Sequence, residues 1–347
     1  MFEDRNKKKT EISELGEFGL IEHLTKNIKI ENTSTIKGVG DDAAVIDNKN
    51  KQTLVSSDFL IEGVDFDLTY TPLKHLGYKA AIINFSDIIA MNGIPQQLIV
   101  NIAFSNRFTL QAIDEIYKGI FLACEKYNVD LVGGDTSTSV TGLILSMTVI
   151  GSADKEKITY RNTAKENNII CVTGDLGAAY MGLLLLEREK SVFEANSDMQ
   201  PDLEGNDYIL ERFLKPEARL DIIETFKTLD ILPTSMIDIS DGLASEIIHL
   251  CKASDVGCNL YEEKIPIDQT AYNASMEYKI NPTTSALNGG GDYEILFTIK
   301  QKDYEMLKHN PNITFIGYIT EKASGINLIT NGGGQVPITA QGWGKDK

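Results

Sequence analysis

Six short acidic motifs hold the residues best suited to chemistry. They are Gly38-Val-Gly-Asp-Asp42, Ser56-Ser-Asp58, Asn84-Phe-Ser-Asp87, Gly133-Gly-Asp-Thr136, Asp238-Ile-Ser-Asp-Gly242 and Gly289-Gly-Gly-Asp-Tyr-Glu294. Each sets a carboxylate beside glycine, serine or a second carboxylate. Glycine lets a backbone come close to a ligand. Gathered carboxylates repel one another unless a cation lies among them. Hard cations such as Mg2+ take oxygen ligands and bridge to substrate phosphates. The pattern implies a Mg-nucleotide site built for phosphoryl transfer.

Each motif also has an ordinary explanation. Gly38-x-Gly40-x-x-Ala43 has the outline of a dinucleotide fingerprint, but that fingerprint opens a helix. Here Ala43–Asp47 reads as a strand edge running to a hairpin at Asn48–Lys51. Two aspartates would repel a bare pyrophosphate; with Mg2+ they become ligands, and otherwise the motif is an Asp-rich turn. Ser56, Ser57 and Asp58 offer hydroxyls and a carboxylate at a strand end. Asp87 lies mid-helix among isoleucine, phenylalanine and methionine, where a carboxylate is costly to bury alone; a salt bridge is its alternative. Gly133-Gly-Asp-Thr136 suits close approach to a phosphate, with a hairpin turn as the alternative. Ser240 or Asp241 can cap the following helix, which leaves Asp238 unexplained, and a helix start also favours phosphate. Gly174-Asp-Leu-Gly177 reads as a structural turn more than an anion site. Arg161 could pair with nucleotide phosphates. Trp343, the single tryptophan, reads either as a core anchor or as a stacking surface for an aromatic ligand. The chain has no Gly-x4-Gly-Lys-Ser/Thr loop and no His-Arg-Asp loop, which excludes P-loop and protein-kinase folds.

The elements that must position these residues alternate. Glu14–Lys26 has helical spacing, and Thr53–Ser57 reads as a strand leading to an Asp58 loop. A helix follows, capped by Thr71, started by Pro72 and ended at Gly93, with Tyr78, Ile82, Phe85 and Ile89 on one face and Asn84 and Asp87 on another. Leu98–Ala103 reads as a strand, Leu110–Tyr127 as an amphipathic helix, Val129–Val132 as a strand delivering the Gly133–Thr136 loop, and Leu143–Ile150 as a buried strand. The polar stretch Lys155–Asn168 marks a boundary, giving domains 1–155 and 156–347. Beyond it, Ile169–Thr173 is a strand, Ala178–Arg188 a helix and residues 189–208 a polar surface excursion. Ser235–Ile239 is a strand and Leu243–Ala253 a helix, and Ile295–Ile299 and Ile313–Ile319 are strands. Alternation of this kind predicts α/β domains.

Bulk properties narrow the classes. A formal charge of −17 excludes a general nucleic-acid binder, which needs a basic stripe. The four cysteines are scattered without a C-x-x-C pair, so neither a disulfide framework nor a cysteine zinc site is expected. No apolar stretch approaches a bilayer span and no leader pattern follows Met1. The expectation is a cytoplasmic protein with no membrane partner.

The ordered set G-V-G-D-D, S-S-D, N-x-S-D, G-G-D-T and D-I-S-D-G resembles bacterial thiamine-monophosphate kinases, within the superfamily of aminoimidazole-ribonucleotide synthetase. Glu62–Phe66, Leu287–Glu294 and Gly342-Trp343 point to the thiamine branch, and the match runs from Glu14 to Trp343. The resemblance implies a two-domain α/β fold of that superfamily type. Its N-terminal sheet pairs across a homodimer barrel, through strands such as Leu98–Ala103 or Leu143–Ile150. It implies ATP as co-substrate with several Mg2+ ions, and thiamine monophosphate as acceptor. Carried over by motif, Asp42, Ser56, Ser57, Asp58, Asp87, Asp135, Asp238 and Asp241 would hold the metals. Tyr117, Gly134, Asp135, Arg161 and Ser240 would touch ATP. Asp65, Gly291 and Trp343 would face the acceptor. The family usually carries histidine where Asp65 stands and glutamate where Gly291 stands, and the His-Phe tail after the terminal aromatic residue is missing.

The implied reaction is Mg-dependent in-line transfer from ATP to thiamine monophosphate, giving thiamine diphosphate. No catalytic nucleophile or general base is expected. A phosphate acceptor, with a second pKa near about 6, is already largely dianionic. Two rivals stay open: a superfamily kinase or synthetase with another acceptor, and a nucleotide-binding homodimer without turnover.

Overall fold

The computed structural model describes residues 23–37, 45–49, 51–196 and 198–340. Most of the expected helix Glu14–Lys26, the Gly38–Asp42 motif and Trp343 lie outside the described residues. The chain divides into two compact units: Met1–Phe85 with Pro95–Ser152, and Ser86–Ile94 with Ala153–Lys347.

In the first unit the strands are β1 (Thr35–Lys37), β2 (Val45–Ile46), β3 (Gln52–Ile61), β4 (Ile94–Phe104), β5 (Asp130–Thr138) and β6 (Ile144–Ala153). β1 and β2 form a small antiparallel pair, and the main sheet has the order β3-β6-β4-β5. β4 and β5 run parallel, with Asn101 opposite Asp135. This order revises the expected edges: the strands containing Leu98–Ala103 and Leu143–Ile150 are interior, and β3 and β5 are the edges.

Two expected loops prove to be strand. β3 runs through Asp58 to Ile61, and β5 carries Gly133-Gly-Asp-Thr136 within it. Gly134 explains the second case. A Cβ there would run into the carbonyl oxygen of Val100, so the glycine lets β5 lie close on β4.

The helix Leu110–Tyr127 forms where its spacing predicts. Thr109 accepts from the Ala112 N–H at 3.4 Å, and Asn128 closes the end at φ 55°, the usual start and stop devices. Ile113, Ile116, Ile120, Ala123 and Tyr127 are buried along one stripe, as amphipathic packing requires. The helix Leu73–Ile89 departs from expectation. From Leu76 to Ala90 every residue is buried except Lys79 and Asp87, which are half-buried. A helix apolar on all sides belongs in an interior, so the single Tyr78–Ile89 face understates it. These two helices touch through glycine: a Cβ on Gly77 would strike the Ile116 carbonyl, and one on Gly119 the Lys74 carbonyl.

In the second unit the strands are β7 (Ile169–Thr173), β8 (Ser235–Ile239), β9 (Gly257–Tyr261), β10 (Glu294–Ile299), β11 (Ile313–Thr320), β12 (Ile326–Ile329) and β13 (Gln335–Pro337). They form one sheet in the order β13-β12-β9-β11-β7-β10-β8, antiparallel except for the β9–β12 pair. β8 and β10 are buried at every position. One core gathers Ile170, Val172, Ile237, Ile239, Ile247 and Leu296. A second packs Ala178, Met181, Leu185, Ile209 and Ala274. The helix expected to stop at Arg188 continues to Ala195, so the first third of the supposed surface excursion is helical. Helices Asp207–Leu214, Leu220–Leu229, Gln269–Glu277 and Pro282–Asn288 were not expected. Among the described residues no helix is long and apolar enough to cross a membrane.

The glycine contact yields a stability test. Gly77→Ala should cost about 1–3 kcal/mol, the usual penalty for overpacking, read as a lowered urea midpoint. Gly332→Ala, with only the Thr330 hydroxyl 3.9 Å away, should change it little.

Candidate functional site

In the second unit the acidic motifs meet at the end of β8. The strand delivers Asp238, 8 % exposed. Ser86, fully buried on the helix Leu73–Ile89, donates its hydroxyl to Asp238 Oδ2 at 2.8 Å. Ser86 is the neighbour of Asp87, so two candidate ligands 151 positions apart in sequence are tied through one hydroxyl. After β8 the chain turns at Gly242, whose φ of +107° no L side chain adopts readily, and the helix Leu243–Ser254 begins. Glu246, in its first turn and 2 % exposed, accepts from the Asp241 N–H at 3.1 Å and the Ser240 hydroxyl at 3.4 Å. Burial, reinforced by the charges of Asp241 and Asp238, pushes Glu246 up to about 7.

The Gly289–Gly291 turn closes the other side. The Gly291 N–H donates to the Ser240 carbonyl at 2.7 Å, and the Tyr293 N–H to the Ile239 carbonyl at 2.9 Å. A Cβ on Gly290 would press on the Ser240 carbonyl at 2.7 Å, and both Gly290 and Gly291 have positive φ.

In the first unit, Asn84 reaches from the same helix to β3. Its Oδ1 accepts from the Asp58 N–H at 3.2 Å, and its Nδ2 donates to the Ala80 carbonyl. Alternation along β3 puts Ser56 and Asp58 on one face and Ser57 on the other. Ser57 bonds the Met147 carbonyl and the Thr148 hydroxyl of β6 instead. Asp135 is exposed on β5, the sheet edge opposite β3. Two strands intervene, a separation of about 14 Å at ordinary strand spacing.

Other candidates are occupied locally. Tyr117 is a buried ring packed on Phe121, its hydroxyl pushed up to about 12 by burial. Arg161 is exposed, and its carbonyl accepts from Ser254. Asp65 accepts from the Ile61 N–H at 2.8 Å, closing the turn after β3. Asp42 and Trp343 lie outside the described residues.

Among the described residues no three histidine, cysteine, aspartate or glutamate side chains group as a self-contained metal cage. The donor chemistry nevertheless fits Mg2+, which takes one or two carboxylates and completes its shell with phosphate and water. Burial is the main cause of the raised Glu246 pKa, and the smaller share contributed by Asp241 and Asp238 is what such a cation relieves.

Residues 40–153 match the domain family described as AIR synthase related protein, N-terminal domain. Thiamine-monophosphate kinase of Bacillus subtilis (strain 168) is 35 % identical over 318 residues, covering 89 % of this chain and 92 % of that one. The crystal structure of thiamine-monophosphate kinase from Stenotrophomonas maltophilia K279a superposes with a TM-score of 0.78 at 26 % identity, covering 94 % of this chain and 98 % of that one. A solved "AaThiL complexed with AMPPCP and TMP" gives 0.72 at 29 %, covering 95 % and 97 %. The chain belongs to the thiamine-monophosphate kinase family. The resemblance read from the motifs is thereby borne out, as is the α/β fold class.

Within this thiamine-monophosphate kinase family member, the last acidic motif does a job that the motif pattern did not suggest. Asp292 is fully buried and accepts from the Gly177 N–H at 2.8 Å and the Ala179 N–H at 3.2 Å. The helix Ala178–Ala195 has only Gly177 at its N-cap, so Asp292 caps it from a distant segment. The helix start opened by Gly174-Asp-Leu-Gly177 is therefore filled from within. Glu294 is held by Arg212 at 2.9 Å, Arg219 at 2.6 Å and the Thr173 hydroxyl at 2.5 Å. Arg212 also donates to the Asp175 carbonyl at 3.0 Å. Arg212 and Arg219 carried no motif signal, and neither did Ser86 or Glu246 as partners. Gly291, at φ +77°, has room for a side chain, with Ala179 Cβ at 3.6 Å. Its backbone still disfavours glutamate there by about 1–2 kcal/mol.

Removing one partner from the buried ion pair is informative. Arg212→Met would leave Glu294 short of a charge and Asp292 without its nearest cation. Breaking buried pairs in this way costs about 3–5 kcal/mol, expected as a matching loss in chemically induced unfolding.

Proposed function

We propose that this chain transfers the γ-phosphoryl group of ATP to the phosphate of thiamine monophosphate, releasing ADP and thiamine diphosphate. The observation that carries this reading is the near full-length relation to thiamine-monophosphate kinases, one neighbour of which is solved with AMPPCP and TMP. An acceptor already in its dianionic form needs no general base. The work falls to alignment and charge neutralisation, as in other phosphoryl transfers with loose transition states.

In this reading residues 1–155 form a nucleotide-binding and dimerisation domain, and 156–347 a second α/β domain. Asp42, Ser56, Asp58, Asp87, Asp135, Asp238 and Asp241 supply oxygen ligands, while Ser57, whose hydroxyl turns to β6, leaves the set. When bound, Mg2+ offsets the negative charge of the phosphates. Tyr117, Gly134, Arg161 and Ser240 contact the nucleotide, with Ser240 held by the Gly291 N–H. Asp65, Gly291 and Trp343 contact the acceptor, where an aromatic face suits the thiazolium cation. Asn84 and Ser86 orient Asp58 and Asp238. The four cysteines are free and buried, in keeping with a reduced, cytoplasmic setting.

A homodimer belongs to the same proposal. The edge strand β3 exposes Val55, Phe59 and Ile61 on one face, and an unpaired apolar edge is a liability unless another chain covers it. Light scattering should give twice the 38.3 kDa chain mass; a monomer at micromolar concentration refutes the dimer.

The reaction is tested by following thiamine diphosphate formation with ATP and Mg2+. ADP release with some other acceptor and none with thiamine monophosphate would replace the proposed substrate. Asp87→Asn and Asp135→Asn each remove a charged ligand and keep the side-chain shape. Each should lower turnover at least about tenfold, worth about 1.4 kcal/mol of transition-state stabilisation. Near-normal turnover in Asp135→Asn would remove that residue from the site.

A further inference from the structure

We propose that Glu246 is a positioning residue that sets the conformation of the Asp238–Asp241 segment. This rests on the assignment of Asp238 and Asp241 to the Mg-nucleotide site. In an ordinary capping box the glutamate at the third helical position reaches back to the N–H of the N-cap residue. Here the N-cap is Gly242 and Glu246 stands one position further along the helix. It reaches past Gly242 to the Asp241 N–H at 3.1 Å. The bond therefore constrains the loop before the helix. The same Oε1 also receives the Ser240 hydroxyl at 3.4 Å.

Beside the bond from the Tyr293 N–H to the Ile239 carbonyl, three contacts fix the segment. Ser86 holds the Asp238 carboxylate, the Gly291 N–H holds the Ser240 carbonyl, and Glu246 holds the Asp241 amide. The first two come from other parts of the chain. The Ser240 carbonyl and the Asp241 N–H belong to one planar peptide group, which Gly291 holds by its oxygen and Glu246 by its nitrogen. One bond at the carbonyl leaves the plane of that peptide able to tilt, and the second, from its N–H to Glu246, fixes the tilt. The placement of Glu246 is otherwise unfavourable. It is 2 % exposed beside two aspartates, and its Oε2 has no hydrogen-bond partner among the described residues. An apolar residue of equal length would fill the space without burying a carboxylate, and the first-turn helix dipole offsets only a small part of the cost of that burial, so helix stability alone is a weak reason for an acid here. Acceptor geometry at the Asp241 amide is a stronger one.

Two variants of equal length separate geometry from charge. Glu246→Gln keeps an oxygen for the Asp241 N–H and drops the charge. Glu246→Met keeps the bulk and loses the acceptor. Binding of Mg-AMPPCP is measured by titration calorimetry and compared with steady-state constants and urea midpoints. For Glu246→Met we expect Mg-AMPPCP affinity and kcat/KM for ATP to fall about tenfold, with KM for thiamine monophosphate within about threefold and the urea midpoint unchanged or higher. Glu246→Gln should bind Mg-AMPPCP within about threefold of the parent protein. Parent-like binding by Glu246→Met, or equal damage in both variants, overturns the proposal. Asp241→Asn serves as the reference. If it also binds like the parent, the Mg-nucleotide assignment fails; if it binds weakly while Glu246→Met does not, only the role of Glu246 fails.

Discussion

Carboxylates that work together must be held close, and held close they repel. In the second unit Asp238, Glu246, Asp292 and Glu294 are all nearly or wholly removed from water. An isolated carboxylate in such a place costs several kcal/mol, so each needs donors. Arg212 and Arg219 converge on Glu294, and Asp292 takes two backbone N–H groups at a helix start. Asp238 is met by a serine hydroxyl and Glu246 by a backbone amide. The arginines thus settle the charge at one end of the β10 turn. The charges around Glu246 are both negative. The unbalanced charge is left at the end of β8.

Glycine makes this arrangement compact. Gly242, Gly290 and Gly291 all have positive φ, and Gly290 lies against the Ser240 carbonyl. A Cβ at Gly242 would press on the Leu287 carbonyl at 2.7 Å. Two turns of the chain are stacked backbone to backbone, so the Ser240 carbonyl can accept from Gly291 directly. Chain crossing thus accounts for Gly242 and Gly290, whereas Gly291 has space at Cβ and is set by its positive φ. Gly134 makes the same point in the first unit, where the close neighbour is β4.

Much of this was legible in the chain itself. Helix Leu110–Tyr127 carries its start, stop and apolar stripe in local residues, and β7 and β8 fall at the boundaries read from their apolar runs. The carboxylate motifs marked the end of β8. What was not legible depends on residues distant in sequence. Ser86 and Asp238 lie 152 positions apart, and nothing in either motif names the other. Asp58 and Asp135 were read as loop residues because acids and glycines usually break strands; here sheet pairing overrides that local preference. Two further helix starts are written in local residues. Asn281 caps Pro282–Asn288 with proline in its first turn, and Asp268 caps Gln269–Glu277. Both are standard start signals.

One helical turn carries an unusual share of the burden. Asn84, Ser86 and Asp87 lie within four residues, and successive helical residues point about 100° apart. Asn84 fixes the Asp58 amide and Ser86 fixes the Asp238 carboxylate, which leaves Asp87 half-buried as the third direction. The helix is buried along that turn and cannot rotate without breaking core contacts of Phe85, Ile88 and Ile89. Apolar packing thereby holds each polar group in place within its own unit. Within the first unit a methylene lost from Phe85 would be felt by Asn84 and Asp58, and within the second one lost from Ile88 would be felt by Ser86 and Asp238. Precision in the placement of charge here derives from close packing of hydrocarbon.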